Sequence, residues 1–224
     1  MKTTFLALLF ALLPKPLQEL PNAFPRADAK QFIDNERVTV WDVTVEKAKA
    51  TPMHRHSLDF VIVDLADATV KVTSRNGRAG VNSSKKGQVR FNPKGGEEAQ
   101  EGVSDTPRHS ILVELKDVKV APLPNTSGYP DAFPREGSKK VFDNPRVVVW
   151  DFSWTPGKAT QMHFHDKDVV VVYLDNGDLS STTPDGKTTV NSYVFGQAKF
   201  NPRDRTHSEL LSKGSQRVIA IELK

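Results

Sequence analysis

The sequence predicts an all-β protein made of two tandem small barrels or sandwiches related by internal duplication. Three observations carry this prediction: a long-period repeat, a run of strand signals without a convincing amphipathic helix, and a linker between the copies. The repeat is the firmest. AFPR occurs at Ala23–Arg26 and again at Ala132–Arg135, an offset of 109 residues (132 − 23). The same offset carries Asp34-Asn35 onto Asp143-Asn144, Trp41-Asp42 onto Trp150-Asp151, and Met53, His54 and His56 onto Met162, His163 and His165. It also carries Asp59 onto Asp168, and Phe91-Asn92-Pro93 onto Phe200-Asn201-Pro202. HSILVELK and RVIAIELK close the two copies, the second being one residue shorter. Each copy is as long as a small domain.

Taken in order, residues 1–22 read as a secretory signal peptide. Lys2 is followed by nine apolar residues, Phe5 to Leu13, and then Pro14; the run is too short to span a bilayer. This predicts an extracytoplasmic protein with no stable membrane span. Residues 23–120 form the first copy. ERVTVWDVTV is rich in β-branched and aromatic residues, and LDFVIVDL is a buried-strand run. Residues 121–131 hold the Pro-, Gly-, Ser- and Asn-rich stretch APLPNTSGYPD, which is linker composition. Residues 132–224 form the second copy, with PRVVVWDFSW and DVVVVYLDNG as strand runs and TPDGKTT as a turn cluster. Many short strands at regular spacing argue for a sandwich or barrel.

Composition narrows the function. The 31 basic and 27 acidic residues are interspersed, so the net charge of +4 makes no basic stripe and nucleic acid is not an expected partner. The absence of cysteine removes disulfides, thiolate zinc sites and thiol nucleophiles. Ser208 beside His207 is no triad, because adjacency supplies no third group to orient the base. No glycine loop has the spacing and lysine of a phosphate cradle.

The chemistry-bearing residues are histidines. In the second copy Gly157 precedes His163-x-His165, and Gly177 follows; further on, Gly196 precedes Pro202, Asp204 and His207. These spacings resemble the paired motifs of the cupin superfamily, and because each copy matches nearly end to end, the chain resembles a bicupin. The resemblance implies two tandem jelly-roll barrels, with His163, His165 and His207 meeting on one metal. A histidine pair at i and i+2 on a strand shares one face, and neutral imidazoles suit Fe, Zn, Cu and Ni. The resemblance thus implies a divalent transition metal, iron first, with Mn, Ni, Cu and Zn as the other candidates. Three departures qualify it: the glutamate expected at Val169 or Val170 is missing, Asp204 replaces a glycine, and Leu211 replaces an asparagine. Asp168, with Asp59 as its counterpart, is the candidate for a fourth ligand or an acceptor behind a histidine.

The first copy keeps His54 and His56, has Glu98 where the offset places His207, and has Ala48 in place of the first motif glycine. His54, His56 and Glu98 are a candidate second metal set, against a structural role in which this copy supplies an interdomain or dimer surface. Phe164 is expected against the other barrel or a second subunit, Trp41 and Trp150 in the core, and Arg90 and Lys199 on a solvated face. The function expected is that of a metal-dependent, dioxygenase-like oxidoreductase acting on a small organic substrate, with homodimerisation compatible. The alternatives are a non-catalytic extracytoplasmic bicupin that binds a sugar, anion or metal, and a metal-dependent isomerase or lyase.

Overall fold

The computed structural model describes residues 19–224; most of residues 1–22, expected as a signal peptide, lies outside the described residues. The first copy forms β1 (Ala29–Asp34), β2 (Val38–Val45), β3 (His54–Arg55), β4 (Asp59–Asp64), β5 (Ala68–Ser74), β6 (Ala79–Ser84), β7 (Val89–Asn92), β8 (Glu97–Gly102) and β9 (Arg108–Leu115). The second forms β10 (Ser138–Asp143), β11 (Val147–Ser153), β12 (His163–His165), β13 (Val169–Tyr173), β14 (Gly177–Thr182), β15 (Thr188–Tyr193), β16 (Ala198–Asn201), β17 (Arg205–Gly214) and β18 (Arg217–Leu223). No helix interrupts them among the described residues. The first copy folds as a five-stranded sheet, β1-β2-β9-β4-β7, over a four-stranded one, β3-β8-β5-β6; the second repeats this as β10-β11-β18-β13-β16 over β12-β17-β14-β15.

The five-stranded sheets are apolar on both faces, and this is why their strands read as continuous hydrophobic runs. Strand side chains alternate between faces. Trp41, Val43, Val45, Phe60, Ile62 and Leu112 turn into the first barrel, and Trp150, Phe152, Val169, Tyr173, Val218 and Ala220 turn into the second. The residues between them, including Val40, Val61, Val113, Val149, Val170 and Ile221, form one cluster shared by both copies. The two barrels therefore pack sheet on sheet, and both copies contribute to that surface.

Charged pairs flank the shared face with pseudo-two-fold symmetry. Arg37 of the first copy donates to Asp168 of the second, and Arg146 of the second pairs with Asp59 of the first at 3.0 Å. The remaining oxygen of each aspartate caps a turn: Asp168 Oδ1 accepts the Arg203 amide, and Asp59 Oδ1 accepts the Lys94 amide, each at 2.9 Å. This corrects the reading of Asp168 and Asp59 as ligands or histidine acceptors. They recur because each ties its copy to the other.

Lys199 and Arg90 also depart from expectation. Phe200 and Phe91 pack on the shared interdomain core, so their strand neighbours turn inward and line the barrel cavities. Phe164 is buried, and its backbone pairs locally. Its amide and carbonyl bond to Pro130 and Ala132, in the segment leading into the second copy rather than in another barrel. Pro21 and Ala23 bond to Arg55 in the same way. Trp41 and Trp150 are core aromatics as expected, and each indole N–H reaches a buried carboxylate, Glu114 or Glu222, at 2.8 Å.

Candidate metal centre

Strand register assembles the histidines. β12 is three residues long and pairs antiparallel with β17, placing His163 opposite His207 and His165 opposite Arg205. The turn before β17 is pinned by the Asp204 amide, which donates to the His165 carbonyl at 2.9 Å. Asp204 has φ 65°, so it keeps the left-handed conformation that explains a glycine at this motif position. Ala48, where the other motif glycine is missing, has φ 56°, and its counterpart Gly157 has φ 74°.

One ligand nitrogen from each of His163, His165 and His207 lies within 4.8 Å of the others, and all three side chains are buried. His165 Nε2 and His207 Nε2 are 3.2 Å apart. Two nitrogens bound to one metal at about 2.0–2.1 Å stand about 2.9–3.4 Å apart, so this spacing suits a common ion. His163 Nδ1 lies 2.8 Å from the Gln161 carbonyl. Its proton belongs there, which leaves the Nε2 lone pair facing the cluster, the second-sphere arrangement that orients metal-binding imidazoles. His165 Nδ1 is buried without a hydrogen-bond partner.

Burial keeps these imidazoles neutral, the form a metal requires. Desolvation, reinforced by Arg135, lowers His163 to about 4. His207 falls to about 3 through burial and the nearby Arg205, Arg135 and Lys199 cations. His165 is driven well below its ordinary value, chiefly by burial. The donor set, its spacing and its protonation state all fit a divalent transition metal.

Around the cluster, the AFPR arginine is prominent. Arg135 donates to His163 Nε2 at 3.0 Å and to Glu209 Oε2 at 3.4 Å. Its guanidinium lies 4.0 Å from the Phe152 ring centroid and 4.7 Å from that of Phe133, a desolvated cation–π setting. His165 and His207 open on a barrel cavity of about 240 Å³, whose charged lining is Arg135, Lys199, Arg205 and Glu209. Arg135 also lines a second cavity of about 380 Å³ on the side of His163. Glu209 was not singled out from the sequence, although its place two residues after His207 on a strand puts it on the same face.

The first copy gathers its own set. His54, His56 and Glu98 offer ligand atoms within 4.8 Å of one another, and β3 pairs His54 opposite Glu98. Glu98 is therefore part of a cluster, not merely a solvated loop residue. Burial, with help from His54 and Arg26, lowers His56 to about 3; neither ring nitrogen of His56 has a hydrogen-bond partner, and its Nε2 lies 3.9 Å from Glu98 Oε1. Gln100 donates to Glu98 at 2.5 Å, and the cavity beyond is lined by Arg90 and Arg108, both of which pair with the fully buried Asp64.

Two antiparallel jelly-roll barrels with inward histidines at matched strand positions define a bicupin, and the chain belongs to the cupin superfamily. No family model matches it. It is 33% identical over 96 residues to the beta-alanine degradation protein BauB of Pseudomonas aeruginosa, covering 43% of this chain and 95% of that protein. The oxalate decarboxylase of Bacillus subtilis, a protein with Mn(II) centres, is similar in fold at a TM-score of 0.60 and 10% identity, over 88% of this chain and 75% of that one. A cupin 2 conserved barrel domain protein of Leptotrichia buccalis gives a TM-score of 0.54 at 13% identity, over 96% of this chain and all of that one. Among the described residues no helix is long and apolar enough to cross a membrane.

Proposed function

We propose that the second barrel is a metal-dependent oxidoreductase site for a small carboxylated organic substrate. The observation that carries the reading is the convergence of three neutral histidines, two of which, His165 and His207, open on a cavity lined by three cationic side chains. His163, His165 and His207 would hold the metal, with iron leading and manganese, nickel, copper or zinc compatible with the same donors. The metal would act as Lewis acid and template, and as electron donor toward dioxygen.

The chain's own residues supply binding and orientation. Lys199 and Arg205 face the cavity from β16 and β17 and would fix a carboxylate, with Arg205 the better suited to a planar bidentate pair. Val169, Val171, Leu179 and Val218 line the same cavity and exclude water from the reacting end. At about 240 Å³ the space lies below that of pockets for drug-sized ligands, so the substrate is small. The relative named for beta-alanine degradation supports a small carboxylate, and the oxalate decarboxylase fold match is compatible with one. Residues 1–22, read as a signal peptide, would place the protein outside the cytoplasm.

The test is elemental analysis of protein purified without an affinity tag, beside a folded His163→Ala, His207→Ala variant, followed by oxygen uptake with a panel of small carboxylates. Metal near one equivalent per site in the wild type only, with substrate-dependent oxygen consumption, supports the reading. Metal without consumption of oxygen or substrate turns the protein into a binding bicupin. Equal metal in both proteins removes the histidine site.

A further inference from the structure

We propose that Glu209 is the carboxylate of the metal centre, replacing the glutamate missing at Val169 or Val170. This rests on the reading of His163, His165 and His207 as ligands. The first support is placement. Glu209 follows His207 by two residues on β17, so both side chains share the inward face, and Glu209 Oε1 already lies 4.0 Å from His207 Nε2. Its backbone is held by the Thr160 hydroxyl, which accepts the Glu209 amide at 2.8 Å.

Charge supplies the second support. The cavity lining carries Arg135, Lys199 and Arg205, and Glu209 is its one acidic residue among those described. Three neutral imidazoles leave a divalent ion uncompensated beside three cations. A carboxylate in contact with the ion is what makes occupancy favourable there.

Comparison of the two barrels supplies the third. At the position of Glu209 the first copy has Gln100, and at the position of His207 it has Glu98. Each cluster therefore has one carboxylate on the corresponding strand, displaced by two residues. In the second barrel that carboxylate is held 3.4 Å from Arg135, the same guanidinium that donates to His163 Nε2 at 3.0 Å. Arg135 bridges two of the groups a metal would draw together, so metal entry would exchange its hydrogen bonds for coordination.

Mn(II) titration of the full chain, followed by loss of the free-ion EPR signal, tests this in wild type, Glu209→Gln and Glu209→Asp, with circular dichroism confirming the fold. The expected result is metal binding by wild type, binding at least about 10-fold weaker by Glu209→Gln, since even the loss of an outer-shell partner costs about 10–100-fold, and partial recovery in Glu209→Asp. The bound Mn(II) spectrum should also differ between wild type and Glu209→Gln. Unchanged affinity and spectrum in Glu209→Gln overturn the role of Glu209 while leaving the histidine site intact. No binding by wild type overturns both. If Glu209→Gln does not fold, the wild-type metal-edge absorption decides: three imidazoles with a carboxylate sustain the proposal, and imidazoles with water alone overturn it.

Discussion

At the scale of single residues, Ala48 shows a motif surviving in backbone shape after its glycine is lost. With φ 56° it holds a left-handed conformation that costs an L-residue with a Cβ about 1–2 kcal/mol. Part of that gain is cancelled because glycine is more flexible in the unfolded chain. Ala48→Gly should therefore stabilise the protein by about 0.5–1 kcal/mol, read as a higher urea midpoint at unchanged m-value. A lower midpoint would show that the strain is relieved elsewhere. Asp204, at φ 65°, belongs to a residue type that tolerates this region better, so Asp204→Gly should gain less. Both departures were legible in the sequence as missing glycines. Their conformation was not, because substitution records what is allowed and not which dihedral is kept. Glu209 was hidden for a different reason: a carboxylate two residues beyond a candidate histidine stands out only once the strand register places it on the cavity face.

At the scale of elements, the sequence showed which strands exist better than it showed which way they face. The duplicated runs identified the strands of both five-stranded sheets, and the histidine pair on β12 followed from strand alternation, whereas in the first copy His54 opens β3 and His56 lies just past its end. Alternation alone does not say which side is inside, however. The sequence places Arg90 and Lys199 on a solvated face, whereas the neighbouring Phe91 and Phe200 pack on the core between barrels. Arg90 and Lys199 are thereby turned inward, and two residues that looked solvated become cavity charges. The sheet-on-sheet core also sets the energetics of these strands. Ile221 is fully buried at this face, and Ile221→Ala should cost about 2–5 kcal/mol through lost transfer energy and an unfilled cavity. Val190, on β15, is 62% exposed, and Val190→Ala should stay within about 0.5 kcal/mol. Paired denaturation curves check both; similar losses at the two sites would contradict the proposed division between shared face and exposed edge.

At the scale of the molecule, the two barrels are tied by an apolar face and by reciprocal ion pairs, and the pairs differ in burial. The Arg37 and Asp168 side chains are 9% and 10% exposed, whereas Arg146 is 27% exposed and divides its charge between Asp59 and Asp117. Removing one partner of a buried pair strands the other charge and costs about 3–5 kcal/mol, whereas a more exposed pair contributes about 1 kcal/mol or less. Arg37→Ala should therefore destabilise more than Arg146→Ala, and the reverse order in urea would show that Asp168 relaxes into water. The same architecture bears on whether either copy can stand alone. A chain of residues 132–224 would lose Arg37 and leave Asp168 without its partner. It would also uncover the side of β11, β13 and β18 that carries Val147, Val149, Val170, Val172, Ile219 and Ile221. A contiguous apolar face of that kind drives association in water. The isolated second copy should thus self-associate or aggregate, as measured by light scattering coupled to size exclusion, while the full chain retains a cooperative transition. A well-folded monomer of 132–224 would instead mean that each barrel's own interior suffices and that the shared face serves to hold the two sites in a common frame.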